Sequence, residues 1–151
     1  MRWMTCVRWV LAAIAAVAVG SCATTGGEIA PRGDEGAAKQ LVSQWSAALK
    51  SQDTDAIMGF YSDQFTNAVY PSKAAVRDAV EQARVIGYLE GMQTDTSTAS
   101  VSDANGQMTV GPITLTGGFG QHVVNLLLRE ENGALRIVSA EDLTAHAPAA
   151  L

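Results

Sequence analysis

Histidine and cysteine each occur only twice among the 151 residues, as His122 and His146 and as Cys6 and Cys22. With so few ligands and no His-Glu-x-x-His spacing, a metal centre is not expected, and no cofactor is expected either. The Gly-x-Ser-x-Gly elbow is missing, which removes the serine hydrolase signal. Basic residues are scarce: 10 Lys and Arg stand against 15 Asp and Glu, a formal net charge of −5. An acidic surface repels phosphate backbones, so nucleic acid is not an expected partner. Long apolar runs are missing as well. The run Val10 to Val19 is roughly half the ~20 apolar residues that a membrane-spanning helix needs.

What is present begins with a leader. Arg2 and Arg8 form a positive n-region, Val10 to Val19 an apolar h-region, and Gly20 and Ser21 supply small residues. That is the order of a secretory signal. Val19-Gly20-Ser21-Cys22 resembles the lipobox of bacterial lipoproteins. The resemblance implies cleavage after residue 21 and lipid on Cys22, which then holds the protein on a membrane of the cell envelope. Cys6 would leave with the leader, so no intramolecular disulfide could form. Loss of residues 1–21 removes two Arg and no acids, leaving 8 basic against 15 acidic residues, or −7. Charge would not hold such a chain to anionic lipid, and the acyl chains must do so. Ala23 follows the cysteine, which by the same resemblance favours the periplasmic face of the outer membrane in a Gram-negative cell.

Residues 22–36 have no hydrophobic periodicity and read as a flexible tether reaching roughly 20 Å. Residues 37–143 make up one domain, and 144–151 read as a frayed tail. In 37–51, Ala38, Leu41, Trp45, Ala48 and Leu49 recur at helical spacing. Asp53-Thr54-Asp55 offers caps for a second helix holding Ile57, Met58, Phe60 and Tyr61. Phe65 to Val69 reads as a short extended piece. Ser72 can cap a third helix with a stripe at Val76, Ala79, Val80, Ala83 and Gly87, closed by Gly91. The period then switches to two, predicting strands over 93–102, 108–116, 120–131 and 134–143. Asn105-Gly106 and Asn132-Gly133 are hairpin signals, and Gly117-Gly118 marks a turn. Helices followed by an antiparallel meander predict an α+β domain.

Several stretches in this order resemble the nuclear transport factor 2-like superfamily, which includes ketosteroid isomerases and SnoaL-like polyketide cyclases. They are Trp45-Ser46-Ala47-Ala48-Leu49, Gln52 to Ile57, Phe60 to Phe65, Ser72 to Arg77, and Gly133 to Val138. The resemblance implies a cystatin-like cone, a strongly curved mixed or antiparallel sheet wrapped on the N-terminal helices, with a pocket. It also implies what an isomerase would need: a carboxylate base just after the first strand begins, and a phenol in the first helix. Here Thr66-Asn67-Ala68-Val69-Tyr70-Pro71 holds no acid, and Trp45 stands where the phenol would be.

Three readings follow. The first is a non-catalytic module for a small apolar ligand or a protein, with Trp45, Tyr61, Tyr88 and His122 as candidate pocket residues. The second is an isomerase, cyclase or dehydratase with His122 or Asp63 as base. The third is an adaptor or assembly module. The strand 120–131 is apolar on both faces, with His122, Val124, Leu126 and Leu128 on one and Val123, Asn125 and Leu127 on the other. One helical layer covers one face, so Val123, Asn125 and Leu127 are candidates for a homodimer contact. Thr94, Thr96, Thr98, Ser100 and Ser102 would share a solvated strand face.

Overall fold

A computed structural model describes residues 34–144. The first helix, α1 (Glu35–Ser51), starts two residues before the expected point. Asp34 is the cause: its carboxylate accepts from Gly36 N at 2.9 Å, satisfying an end donor of the helix. Gln52 ends α1 in the left-handed region at φ 57°. Ala38, Leu41, Val42, Trp45, Ala48 and Leu49 are buried along one side of α1. Asp53 caps the short α2 (Thr54–Met58), and Ser72 caps α3 (Lys73–Val85). Only Val76 of α3 is fully buried, so this helix rides on the surface. It stops at Val85 rather than running to Gly91, and the chain turns through Gly87 (φ 79°) and Gly91 (φ 64°) instead.

Five strands follow: β1 (Gln93–Asp95), β2 (Ser100–Ala104), β3 (Gln107–Gly117), β4 (Gly120–Glu131) and β5 (Ala134–Asp142). All the pairings between them are antiparallel. β4 lies between β3 and β5. The turns Asn105-Gly106 (φ 56° and 75°) and Asn132-Gly133 (φ 53° and 78°) have both central residues at positive φ. That is the hairpin geometry matching the right-handed twist of the strands.

Two parts of the sheet differ from the sequence expectation. The strand expected over 93–102 is broken. β1 pairs with β3 residues 114–116 and β2 with 107–111, so the two lie end to end on one edge of β3. Pro112 sits where the break falls, in a bulge of β3 between Val110 and Ile113. Proline donates no ladder hydrogen bond and a bulge bends its strand, so one straight partner cannot follow β3 throughout. The chain bridges the gap with a turn in which Ala99 N donates to Thr96 O. Thr94, Thr96, Thr98, Ser100 and Ser102 therefore do not share a strand face.

The other difference concerns Phe60 and Tyr61, which lie beyond α2 rather than inside it. From Phe60 to Asn67 the chain runs along the outer edge of β5. Ile137 N donates to Phe60 O, Ser62 N to Ile137 O, and Thr66 N to Val138 O, at 2.8–3.2 Å. Asn67 Nδ2 continues the seam with Ala140 O. The expected extended piece thus starts earlier, and it is an edge partner rather than a regular strand.

The core lies between α1 and the inner face of the sheet. Leu126 and Leu128 of β4 are at most 1% exposed there, with Val124 packed beside them. Ile57, Ile113 and Ile137 are wholly buried in the same cluster. On the outer face, Leu127 pairs with Thr109 and Ser139, and Val123 pairs with Thr114. The apolar residues of that face thus stand among hydroxyls and are only half-buried. At the 117–120 hairpin, the glycines serve close packing as well as the turn. Gly118 N donates to Tyr88 O, and a Cβ on Gly117 would lie 2.9 Å from that same oxygen.

Candidate functional site

A cavity of about 470 Å³ lies between α1 and strands β1, β2 and β3. From α1 it is lined by Lys39, Val42, Ser43, Ser46, Ala47 and Lys50. Lys39, Ser43, Ser46 and Lys50 fall at i, i+4, i+7 and i+11, one stripe of a helix. The strand side supplies Thr94, Thr96, Ala99, Val101 and Val110. The break between β1 and β2 turns Thr96 and Ala99 toward this space.

Among the described residues, no carboxylate or imidazole lines the cavity. Asp95 lies between the two threonines, but strand alternation places it on the opposite face. It is occupied there with Ser97 N, at 2.8 Å, and that backbone bond holds its carboxyl below the usual range. Two lysines serve the mouth. Lys39 is paired with Glu35 at 2.6 Å. Lys50 has no ion pair among the described residues. Ser46 Oγ and Thr94 Oγ1 are both buried without a hydrogen-bond partner, and an unsatisfied buried hydroxyl costs about 1–3 kcal/mol.

The residues expected to line a pocket are not brought together around this cavity. Trp45 is 3% exposed and packs in the core one position from Ser46. Tyr61 is also core, edge-to-face on Phe65 with ring centroids 5.2 Å apart. Burial pushes its phenol up to about 12; the nearby Trp45 indole offsets this in part, and Tyr70 adds to it. Tyr88 is 44% exposed beside the 117–120 hairpin.

His122 sits near the start of β4, with its ring 5.5 Å from that of Phe119. Its Nδ1 lies 2.7 Å from Asp142 Oδ2. Burial works to raise the Asp142 carboxyl, but hydrogen bonds from Thr144 and His122 outweigh it and the group is held below the usual range. Thr144 also accepts Val123 N at 2.9 Å, so the chain is tied down one residue past the expected domain end. Asp63 is exposed and bonded to Lys73 at 2.8 Å, and that ammonium holds its carboxyl low. Beside it, Glu131 accepts from Arg129 and Ser62. Cys22 and His146 lie outside the described residues, as do most of the tether and the tail.

The cavity-lining residues were visible in the sequence only as a polar stripe on α1. That stripe reads equally well as a solvated helix face, and the threonines opposite it read as a solvated strand.

No family model matches the sequence, and no curated protein is similar to it. Similarity is found among solved structures. Bd1075 of Bdellovibrio bacteriovorus superposes with a TM-score of 0.60 at 15% identity, over 70% of this chain. The chain spans only 38% of the length of Bd1075. An NTF2-like protein of unknown function from Pseudomonas putida KT2440 gives 0.60 at 17% identity, over 72% of this chain and 84% of that one. A protein with a cystatin-like fold from Nostoc punctiforme, also of unknown function, gives 0.59 at 13%, over 72% and 89%. The domain has the NTF2-like, cystatin-like fold. At these identities the likeness concerns the fold alone. The NTF2-like cone here carries a cavity of about 470 Å³ between α1 and the broken β1–β2 edge.

Proposed function

We propose that this NTF2-like domain is a non-catalytic binding module for a small, mainly apolar molecule, carried on the cell envelope by lipid on Cys22. One observation carries the binding reading: the cavity beside α1 has a volume within the range of small-molecule sites, about 300–1,000 Å³. Its walls mix apolar side chains with a few hydroxyls, the usual chemistry of such sites. The two candidate bases are elsewhere. His122 is engaged with Asp142 and Asp63 with Lys73, and neither lines the cavity. A cyclase, isomerase or dehydratase would need one of them beside its substrate. The anchor reading rests on Val19-Gly20-Ser21-Cys22, and in a Gram-negative cell it places the domain on the periplasmic side of the outer membrane.

Native mass spectrometry of the purified full chain tests the binding reading. A co-purified small molecule that is lost in Ala47→Trp is the expected result. Ala47 is exposed on α1 and lines the cavity, so the indole fills the space without disturbing the core. A chain that carries nothing, and is not stabilised by any member of an apolar ligand panel, removes the reading. For the anchor, Cys22→Ala is expected to move the protein from the membrane fraction to the soluble periplasmic fraction. Unchanged fractionation overturns it.

A further inference from the structure

We propose that the ligand of the α1 cavity is an apolar monocarboxylate, held with its carboxylate toward Lys50 and its body against Val42, Val101 and Val110. This rests on the reading of the cavity as a binding site and adds the charge and size of what it takes.

The protein as a whole is acidic, at −5, yet among the described residues the cavity is lined by two lysines and no acid. Glu35 already answers Lys39. Lys50 is unanswered among the described residues and stands in the last turn of α1. The helix end there carries about half a negative charge, which a whole ammonium charge exceeds. The mouth is therefore cationic at Lys50.

Ser46 Oγ and Thr94 Oγ1 belong to cavity-lining residues on facing elements and have no partner among the described residues; both oxygens are sealed just behind the wall, so each reaches an occupant by a turn of its side chain. A hydroxyl can donate to a carboxylate, and a bond to an ionised acceptor is roughly twice as strong as a neutral one.

At about 30 Å³ for each water-sized group, the cavity of about 470 Å³ takes roughly fifteen non-hydrogen atoms. A molecule of that size fills the space, whereas an inorganic anion would leave most of it empty.

The probes are 6-phenylhexanoate and 6-phenylhexan-1-ol, which share a body and differ in charge, titrated by calorimetry into the full chain. The acid is expected to bind about tenfold more tightly than the alcohol. Lys50→Met should erase that preference by weakening the acid alone, and Ala47→Trp should abolish both. Equal affinity for acid and alcohol, with both lost in Ala47→Trp, overturns the carboxylate assignment and leaves the binding reading standing. A preference for the acid that survives Lys50→Met overturns the role of Lys50. Binding of either probe that persists in Ala47→Trp places the site elsewhere, and binding of neither probe overturns the carboxylate assignment, while the cavity reading falls only if the chain also carries nothing and no apolar ligand stabilises it.

Discussion

Tyr61 gives the structure its sharpest test through alkaline pH. The residue is 8% exposed, and its phenol is raised from 10.0 to about 12, first by burial. In the unfolded chain the same group ionises at its ordinary value. Between the two values the native state holds a proton that the unfolded state has released. A raised value stabilises below the unfolded pKa, and this contribution is lost as pH climbs through the native one. A gap of about two units corresponds to about 3 kcal/mol, a large share of the ~5–15 kcal/mol that holds a domain folded. Urea unfolding followed by far-ultraviolet circular dichroism, at about pH 9 and again near pH 12, would compare the natural chain with Tyr61→Phe. Other groups titrate over the same range in both proteins, so the difference between them isolates Tyr61. Near pH 12, where the native phenol is half ionised, the natural chain should have lost about 2 kcal/mol more than the variant. Parallel losses would mean that the phenol ionises in the folded protein, and that Tyr61 is not sealed between Trp45 and Phe65.

Three further outcomes are expected. Gly111→Ala should destabilise the domain by about 1–3 kcal/mol in urea unfolding, because its Cβ would overlap the Asn125 side chain and lie 3.1 Å from Asn125 Cα; adding Asn125→Ala should recover part of the loss, and no recovery refutes the contact. Glu131 is held below its ordinary 4.5 chiefly by hydrogen bonds from Arg129 and Ser62, so it stabilises above that value and the gain is lost as pH falls below it; Arg129→Met should flatten this acid limb of the unfolding midpoint, and an unchanged slope refutes the pairing. If the outer face pairs two copies, Leu127→Lys should shift sedimentation at micromolar concentration from dimer to monomer, and a natural chain that is already monomeric ends that proposal.

The parts of the fold that were legible are those written in side-chain pattern. The stripe from Ala38 to Leu49 identifies α1, and each Asn-Gly pair identifies a hairpin because few other residues accept two successive positive φ angles. The parts that were not legible depend on main chain meeting main chain. Nothing in Phe60 to Asn67 says that its amides and carbonyls will meet β5, since any sequence can supply those groups. The break between β1 and β2 falls beside Pro112, which lies on the neighbouring strand, so the local sequence of 96–99 does not announce it. The candidate site was hidden in another way. Ser43, Ser46 and Lys50 look like a helix face meant for water, and only the fold brings Thr94 and Val110 opposite them.

The edges of the sheet bear on how this protein behaves in a crowd. Concentrated β proteins are at risk of recruiting one another, an open ladder on one copy templating the next. Here the Phe60–Asn67 segment occupies the β5 rim with its own peptide groups. The opposite rim consists of two short strands, β1 of 3 residues and β2 of 5, separated by a turn. Asp95 and Asp103 each add a negative charge to that rim. No long, flat stretch of unpaired backbone is offered on either side of the described domain. Copies held close together, as they would be on a membrane, can touch repeatedly without stitching into a fibril. The kink at Pro112 that bends the sheet also keeps its open margin too short to propagate.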